Sequence, residues 1–185
     1  MKVIAFVGSP RKDGNTFRVI NAICRGAKES GHETEIYNLF ELKNQGCIAC
    51  NACQANKVEY CSIDDNLTAL LPKIAKADCL IFGTPIYMGH VSGHMKNFFD
   101  RLRPFMQLPD YTIKHLPGKK YITVTCSGAP AAAAKETIDY LDKWFSGFYK
   151  MENAGNLAVG GVRMIGDVDN QPDVMKNAEE LGRKL

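Results

Sequence analysis

The stretch MKVIAFVGSPRKDGNT, residues 1–16, decides the fold that the sequence predicts. Residues 3–7 are an unbroken apolar run, which is typical of a strand buried on both faces of a parallel sheet. Residues 8–16 are rich in turn formers and hydroxyl groups, and a helical pattern begins at Asn15. A strand, a short polar loop and a helix, in this order, predict the first unit of an alternating α/β fold.

The rest of the chain continues this alternation. Further strands are predicted at residues 34–39, 79–83, 121–126 and 157–162, and helices at residues 15–30, 65–77, 91–105, 131–149 and 173–184. Five strands that alternate with helices predict a five-stranded parallel sheet covered on both faces. The 185 residues are expected to form one domain, 1–185, with a cysteine-rich insertion at 43–64. Irregular stretches of that length are usually functional.

The composition excludes several classes of protein. Apolar residues make up 45% of the chain and charged residues 23%, which is the usage of a globular domain and not of a disordered or coiled-coil protein. The net charge is only +3 and no long basic run is present, which argues against nucleic-acid binding. No window of about 18 apolar residues predicts a membrane helix, and the start lacks a secretory signal. We therefore expect a soluble, cytoplasmic protein.

The polar loop of residues 8–16 is predicted to bind phosphate. It precedes the N-terminus of a helix, where free N–H groups and a partial positive charge attract anions. Ser9, Asn15 and Thr16 add polar donors. Arg11 adds positive charge, and Gly14 lets the backbone approach a ligand closely. The loop matches neither GxGxxG nor GxxxxGK[ST], and an ordinary turn before a capped helix is the alternative.

Two further loops, residues 84–93 and 127–131, are predicted to leave the same edge of the sheet, where ligands of such folds bind. Together, the segments GSPRKDGNT (8–16), TPIYMGHVSG (84–93) and KNFFDR (96–101) resemble the NADPH-dependent FMN reductase family. The resemblance implies a flavodoxin-like three-layer sandwich with strand order 2-1-3-4-5, and an FMN-dependent NAD(P)H oxidoreductase. Hydride transfer straight to the flavin then requires no catalytic side chain.

The resemblance also implies which residues contact FMN. The phosphate is expected on Ser9, Arg11, Gly14, Asn15 and Thr16, the isoalloxazine ring beside Pro85, Ile86, Tyr87, Met88 and Gly89, and a third contact loop at Ser127, Gly128 and Ala129. From the residues alone, Pro85 and Gly89 predict a bend that can run alongside a flat ring. Backbone N–H groups there would stabilise the reduced flavin. A connector with a packed Tyr87 is the alternative.

Four of the seven cysteines fall within the insertion, at Cys47, Cys50, Cys53 and Cys61. In a reducing compartment such clustering indicates metal or redox chemistry rather than disulfides. The C-x2-C-x2-C run can wrap one face of an iron–sulfur cubane, as the first three cysteines of ferredoxins do, with the fourth ligand arriving later. A zinc site, free thiols and an empty structural loop remain open.

Within the reductase family, this motif resembles that of the iron–sulfur flavoproteins. The resemblance implies a 4Fe–4S cluster on the four cysteines, beside FMN, and a homodimer or homotetramer with contacts across subunits. Electrons from NAD(P)H then pass through flavin and cluster to a ferredoxin-like or other one-electron acceptor. A cluster-free reductase of quinones, nitro- or azo-compounds or free flavin is the alternative, as is a non-enzymatic flavin electron carrier.

Other reactive side chains are predicted to be structural. Apolar surroundings predict small core residues at Cys24, Cys79 and Cys126. His90 and His94 have the spacing of a metal-binding pair, but no third ligand is evident, so we expect them at the surface or beside the flavin ring. Asp100 and Arg101 are expected to form a structural or subunit-contact pair.

Overall fold

The computed structural model describes all residues from 1 to 185. Its strands are β1 (Lys2–Val7), β2 (Glu33–Asn38), β3 (Cys79–Tyr87), β4 (His90–Val91), β5 (Met106–Gln107), β6 (Thr112–Ile113), β7 (Lys120–Cys126) and β8 (Glu152–Val159). Its α-helices are α1 (Asn15–Glu29), α2 (Leu71–Lys76), α3 (Gly93–Asp100), α4 (Lys135–Asp142) and α5 (Pro172–Arg183). None of these helices combines the length and the apolar character that crossing a bilayer requires.

The central sheet confirms the predicted α/β class and strand order. Five strands pair in the order β2-β1-β3-β7-β8, and every pair is parallel. In chain order of these five strands, this is 2-1-3-4-5, the flavodoxin-like arrangement. Two short antiparallel additions were not predicted: β4 folds back on the end of β3, and β5 pairs with β6 in a separate ribbon.

The sheet separates two hydrophobic cores because successive side chains of a strand point to opposite faces. In β1, Ile4 and Phe6 face the core beneath α2, α3 and α4. Val3, Ala5 and Val7 face the core beneath α1 and α5. All five side chains are fully buried, which explains the unbroken apolar run at the start of the chain.

The two helices on the second face cross with their backbones in contact. A Cβ atom at Gly26 of α1 would lie 2.0 Å from the carbonyl oxygen of Glu179, and one at Gly182 of α5 would lie 1.9 Å from the carbonyl oxygen of Ile23. Only glycine fits at these two positions. The crossing therefore fixes the direction in which α1 points its N-terminus.

Three predicted helices are shorter in the structure. The helix predicted at 65–77 begins only at Leu71, because Pro72 is accommodated in a first turn, where its missing N–H is not needed. The helix predicted at 91–105 is capped by Ser92 and ends at Asp100, before Pro104. The helix predicted at 131–149 starts as a 3₁₀ turn, continues as α4 and widens into a π-helical turn, Lys143–Phe148.

The last strand was predicted too late. Residues 157–162 were expected, but β8 runs from Glu152 to Val159. Its first residues, ENAGN, are polar and contain glycine, so they lack the usual strand signature. Parallel pairing with β7 extends the strand in spite of this, with an irregular register beside Gly155. A Cβ there would lie 2.5 Å from the Leu181 side chain, so glycine lets α5 pack onto the edge strand.

Candidate functional site

Four loops meet in a cavity at the carboxyl ends of the central strands, called here the strand-end cavity. Its volume is about 240 Å³. Its lining residues are Ser9, Arg11, Asn15, Thr16, Pro85, Ile86, Tyr87, Cys126, Ser127, Gly128, Val162 and Arg163. Ligand pockets usually have volumes of about 300–1,000 Å³, so this cavity, which is partly open, would enclose part of a cofactor rather than the whole of it.

The N-terminus of α1 opens into this cavity. Gly14 takes the N-cap position, and no side chain caps the helix. The first backbone N–H groups of α1 are therefore available to an anion. Gly14 is needed for close packing of the turn, since a Cβ there would lie 2.9 Å from that of Arg11.

Two arginines place unneutralised positive charge at the cavity. Arg11 donates from Nη1 to the carbonyl oxygen of Arg163 at 2.7 Å, and Arg163 makes a long contact of 3.5 Å from Nη2 to the carbonyl oxygen of Gly128. Neither guanidinium has a carboxylate partner. By contrast, the nearby Arg18 is neutralised by Asp13 and Asp169. The combination of a free helix N-terminus and two unpaired guanidinium groups is suited to a phosphate group.

The side chain of Asn15 is already largely occupied. Its Nδ2 donates to the carbonyl oxygen of Met164 at 2.8 Å, and its Oδ1 accepts from the N–H groups of Gly166 and Val168 at 3.1 and 3.2 Å. Asn15 thus holds the loop after β8 against the start of α1. One N–H of Nδ2 and the backbone N–H are not used in these bonds and remain available to a ligand.

The structure brings nine of the thirteen predicted cofactor contacts to the cavity wall. Those outside the lining are Gly14, at the start of α1; Met88 and Gly89, in the β3–β4 turn; and Ala129, after β7. Arg163 was missed because it follows the last strand. The glycine pair at 160–161 is the feature of the sequence that could have pointed to this loop. Glycine is required at position 160, because a Cβ there would lie 2.2 Å from the backbone nitrogen of Ala131.

The β3–β4 hairpin stands beside the cavity. Tyr87 pairs with His90, and the two residues between them, Met88 and Gly89, have φ angles of 50° and 79°. Two consecutive positive φ angles define the tight type I′ turn, in which glycine is favoured. The bend predicted at Pro85 and Gly89 is thus made by Met88 and Gly89, and the Met88 side chain is fully exposed.

All four clustered cysteines line a second, smaller pocket, called here the cysteine pocket. Its lining also includes Ile48, Asn51, Ser62, Ile63, Asp100, Arg101, Arg103 and Pro104. Ala49 and Asn51, between the cysteines, have φ angles of 54° and 58°, and each left-handed residue turns the chain sharply. For alanine this conformation costs about 1–2 kcal/mol, so the turns are a strained feature at a candidate functional site.

The sulfur atoms of this loop take part in hydrogen bonds. The N–H of Ala49 donates to Sγ of Cys47 at 3.4 Å, and Sγ of Cys50 lies 3.1 Å from Oγ of Ser62. The Ser62 bond lowers the pKa of the Cys50 thiol, because it stabilises the thiolate. No three metal-ligating side chains are close enough in this structure to hold a single ion.

Long polar side chains hold the cysteine loop in place. Gln54 donates from Nε2 to the carbonyl oxygens of Arg103 and Met106 at 3.2 and 2.8 Å, and its Oε1 accepts from the N–H of Leu108 at 3.0 Å. Arg103 donates to Oδ1 of Asn51 at 3.1 Å. The loop is therefore fixed to the chain after α3 rather than to the sheet.

Arg101 is the most buried polar group of the cysteine pocket, with 1% of its side chain exposed. It forms a bidentate ion pair with Asp65, not with Asp100, so the predicted Asp100–Arg101 pair was wrong. Asp100 instead bonds Lys96 on the surface of α3, at 2.5 Å. Nε of Arg101 and Nε of Arg103 are buried without any hydrogen-bond partner. Such orphan donors are rare in native structures and point to a missing ligand.

An aromatic cavity of about 470 Å³ adjoins the cysteine pocket. Its rings come from Phe99, Tyr111, Tyr140, Trp144, Phe148 and Tyr149, and Cys47 and Arg103 are part of both linings. Tyr140 also packs edge-on against His90 of the hairpin, with ring centroids 4.5 Å apart. The aromatic cavity therefore extends from the cysteine pocket toward the hairpin beside the strand-end cavity. His94, on α3, packs against Phe40.

The other three cysteines are confirmed as core residues. Cys24 and Cys79 are buried in the second core, and Cys126 is 5% exposed at the end of β7. Burial raises the pKa of each thiol to about 12, because a thiolate would lose its hydration. They are therefore inert thiols at neutral pH.

Comparison with known proteins agrees with this geometry. Residues 1–162 match the model of the family described as "NADPH-dependent FMN reductase". An iron-sulfur flavoprotein of Methanocaldococcus jannaschii is 30% identical over all of this chain and 95% of its own length. Another, from Methanosarcina thermophila, is 28% identical over all of this chain and 93% of its own length.

Solved structures share the fold at low identity. An NAD(P)H:quinone oxidoreductase of Methanothermobacter marburgensis superposes with a TM-score of 0.75 at 17% identity, covering 99% of this chain and 94% of that one. An FMN-dependent NADH-azoreductase of Bacillus anthracis, solved with FMN, gives 0.74 at 14% identity, covering 98% of both chains. The match over residues 1–162, with the full-length relatives, shows that this chain is an oxidoreductase of the NADPH-dependent FMN reductase family.

Proposed function

We propose that the protein is an iron–sulfur flavoprotein that takes electrons from NAD(P)H through FMN and passes them on singly through a 4Fe–4S cluster. FMN and NAD(P)H follow from the family, and the cluster and its route are the proposal. The observation that carries it is the cysteine pocket. Four thiols share one lining with two buried guanidinium N–H groups that have no partner. A cubane bound by four thiolates carries negative charge and accepts hydrogen bonds at sulfur, so this donor set fits it.

The strand-end cavity is proposed to hold FMN. Backbone N–H groups at the start of α1 would bind the phosphate together with Ser9, Arg11, Gly14, Asn15 and Thr16. The ring would lie along Pro85, Ile86, Tyr87, Met88 and Gly89, with Ser127, Gly128 and Ala129 closing the other side. Arg163 joins this set because its guanidinium lies in the cavity wall without a counter-ion. FMN held by these residues would supply a hydride acceptor that can release electrons one at a time.

The protein's own groups would hold and orient the reactants. The half-exposed Tyr87 leaves an open side along the cavity, which is the approach available to a nicotinamide. Cys47, Cys50, Cys53 and Cys61 would ligate the iron atoms, and no side chain is assigned a role in proton transfer. We further propose a single domain over residues 1–185, a homodimer or homotetramer, and a cytoplasmic location, for which the unpaired thiols argue.

The test is analysis of protein purified without air. Iron and acid-labile sulfide near four of each per chain, with a flavin spectrum overlaid by broad cluster absorption, are expected. If the analysis finds zinc and no sulfide, the cysteines bind a structural metal ion and not a cluster. Steady NAD(P)H oxidation by the same sample separates an enzyme from a passive flavin carrier.

The aromatic cavity favours a second candidate, a cluster-free reductase of flat aromatic acceptors such as quinones, nitro- or azo-compounds. Six aromatic rings line it, and such walls favour planar ligands. A Cys50→Ser variant separates the two candidates. Two rates are compared between this variant and the unchanged protein: the NAD(P)H-dependent reduction of a soluble quinone and that of a one-electron acceptor. If both rates are the same in the two proteins, the cluster has no role in the activity.

A further inference from the structure

The guanidinium of Arg101 has a nearly complete set of hydrogen bonds. Nη1 donates to Oδ2 of Asp65 at 2.8 Å and to the carbonyl oxygen of Gln45 at 2.9 Å. Nη2 donates to Oδ1 of Asp65 at 3.0 Å and to Oγ1 of Thr68 at 2.6 Å. An arginine carries five N–H donors, and these bonds use the four on its two terminal nitrogens.

The fifth donor, Nε–H, is buried without any hydrogen-bond partner. Burial removes it from water, so in native proteins such a group nearly always has a partner. Arg101 and Cys61 both line the cysteine pocket, and the acceptors Asp65 and Thr68 that hold the guanidinium follow Cys61 by four and seven residues. The unused donor is therefore enclosed in a pocket that four sulfur atoms share, next to the segment that carries Cys61.

We infer that Arg101 is a positioning residue whose Nε–H donates to the sulfur of Cys61 when that sulfur ligates the cluster, and so raises the cluster's reduction potential. This inference rests on the proposed function. Reduction adds negative charge that spreads onto the sulfur atoms, and a hydrogen bond to sulfur stabilises that charge. Asp65 already neutralises the guanidinium, so the contribution at sulfur comes mainly from the directed N–H group.

Arg103 supports the same geometry from two residues further along. Its Nε is the second buried nitrogen of this pocket without a partner, while its Nη2 is fixed on Asn51 of the cysteine loop. The pocket thus presents two guanidinium donors that the protein itself leaves unused. Arg101 has the stronger case, because its side chain is completely enclosed and its other four donors are all satisfied.

The test compares Arg101→Lys with Thr68→Val. Lysine keeps a positive charge opposite Asp65 but has no Nε–H, whereas Thr68→Val removes one acceptor of the same guanidinium and leaves Nε intact. In each protein, iron and sulfide are measured first, then the midpoint potential of the loaded fraction. We expect Arg101→Lys to shift the potential to more negative values and Thr68→Val to leave it unchanged. A merely structural role would lower the iron content of both variants and leave the potential as it is, which would overturn the inference.

A second measurement needs no substitution at Arg101. Protein labelled with ¹⁵N-arginine, in an Arg103→Lys background, is reduced and studied by pulsed EPR. A ¹⁵N coupling to the cluster and an exchangeable deuteron that enters slowly from D₂O are expected. A cluster that shows neither signal overturns only the inference about Arg101. If the protein without any substitution binds no iron, the proposed cluster is overturned as well. The two failures are therefore distinguishable.

Discussion

The strand-end cavity and the cysteine pocket are built in different ways. The cavity is a product of regular structure, since parallel strands end at one edge and α1 presents its first N–H groups there. The four cysteines of the cysteine pocket lie in a segment without helix or strand, and Gln54, Arg101 and Arg103 hold this segment through side-chain bonds. The first site therefore depends on the fold, and the second on a few long side chains. This difference predicts that the two sites can be lost separately.

The largest expected effect is complete loss of one site. Cys50→Ser removes a thiolate that serine cannot replace as an iron ligand, so we expect no cluster absorption and no acid-labile sulfide. FMN is expected to remain bound, because Cys50 is not part of the strand-end cavity. The matched control is Cys24→Ala, a buried thiol of α1, which should retain iron. Simultaneous loss of flavin and cluster from Cys50→Ser would contradict the separation of the sites.

The second prediction concerns the support of the cysteine loop. Asp65→Ala leaves Arg101 buried without its carboxylate, and breaking a buried pair in this way costs about 3 kcal/mol of unfolding free energy. Urea unfolding with and without FMN measures this cost, and the FMN dissociation constant should change little.

Asp100→Ala is the control for this substitution, since its surface bond to Lys96 is worth only about 0.5 kcal/mol or less. Equal destabilisation by the two alanines would show that the Asp65–Arg101 pair does not support the cysteine loop.

The third prediction tests the phosphate end of the strand-end cavity. Arg11→Ala should weaken FMN binding roughly tenfold, because a charge-assisted bond to phosphate contributes about 1.5 kcal/mol. Riboflavin, which lacks the phosphate, should bind nearly as before, and fluorescence titration measures both. Lys12→Ala is the control, since Lys12 is not part of the cavity wall. Equal weakening of FMN and riboflavin would show that the phosphate lies elsewhere.

The smallest expected effect lies at the sheet edge, away from both sites. Lys73 and Lys2 bond Glu35 at 2.8 and 3.0 Å, and chiefly the Lys73 bond lowers the pKa of this carboxyl to about 2. The pKa of Glu35 is lower in the folded protein than in the unfolded chain, where it is about 4.3. The ion pairs of Glu35 therefore stabilise the folded state fully above about pH 4.3, and this stabilisation is lost as the pH falls toward 2.

We expect Glu35→Gln to cost on the order of 1 kcal/mol at pH 7, after allowance for solvent screening. Urea unfolding near pH 2 should show no difference in unfolding free energy between the variant and the unchanged protein. A difference that grows as the pH falls would contradict the lowered pKa of Glu35. The control is Glu33→Gln at the start of β2, an exposed carboxyl for which no close ion pair exists.

Much of the fold could be predicted because its signals are local. The buried runs of β1, β3 and β7 are apolar in sequence, and the phosphate loop lies directly between β1 and α1. Where the local signal was weak, the prediction was wrong. The polar residues ENAGN of β8 form a strand because they pair with β7. The single long helix predicted after β7 is in fact a 3₁₀ turn, the α-helix α4 and a π-helical turn.

The sites were predictable only in part, and for the same reason. Residue types pointed to Cys47, Cys50, Cys53 and Cys61, and the structure places all four around one pocket. The arginines could not be assigned in this way. Arg101 is 36 residues from its partner Asp65, and Arg11 is 152 residues from the carbonyl of Arg163 that it bonds. Contacts over such separations exist only after the chain has folded.

The close crossing at Gly26 and Gly182 has a consequence for synthesis. The far end of α1 contacts α5, so the helix that offers its first N–H groups to phosphate has its full support only after residues 172–183 have left the ribosome. The cysteine segment emerges more than a hundred residues earlier. A nascent chain would therefore expose the thiols of this segment well before the wall of the strand-end cavity, which includes Arg163, and the support of α1 are complete.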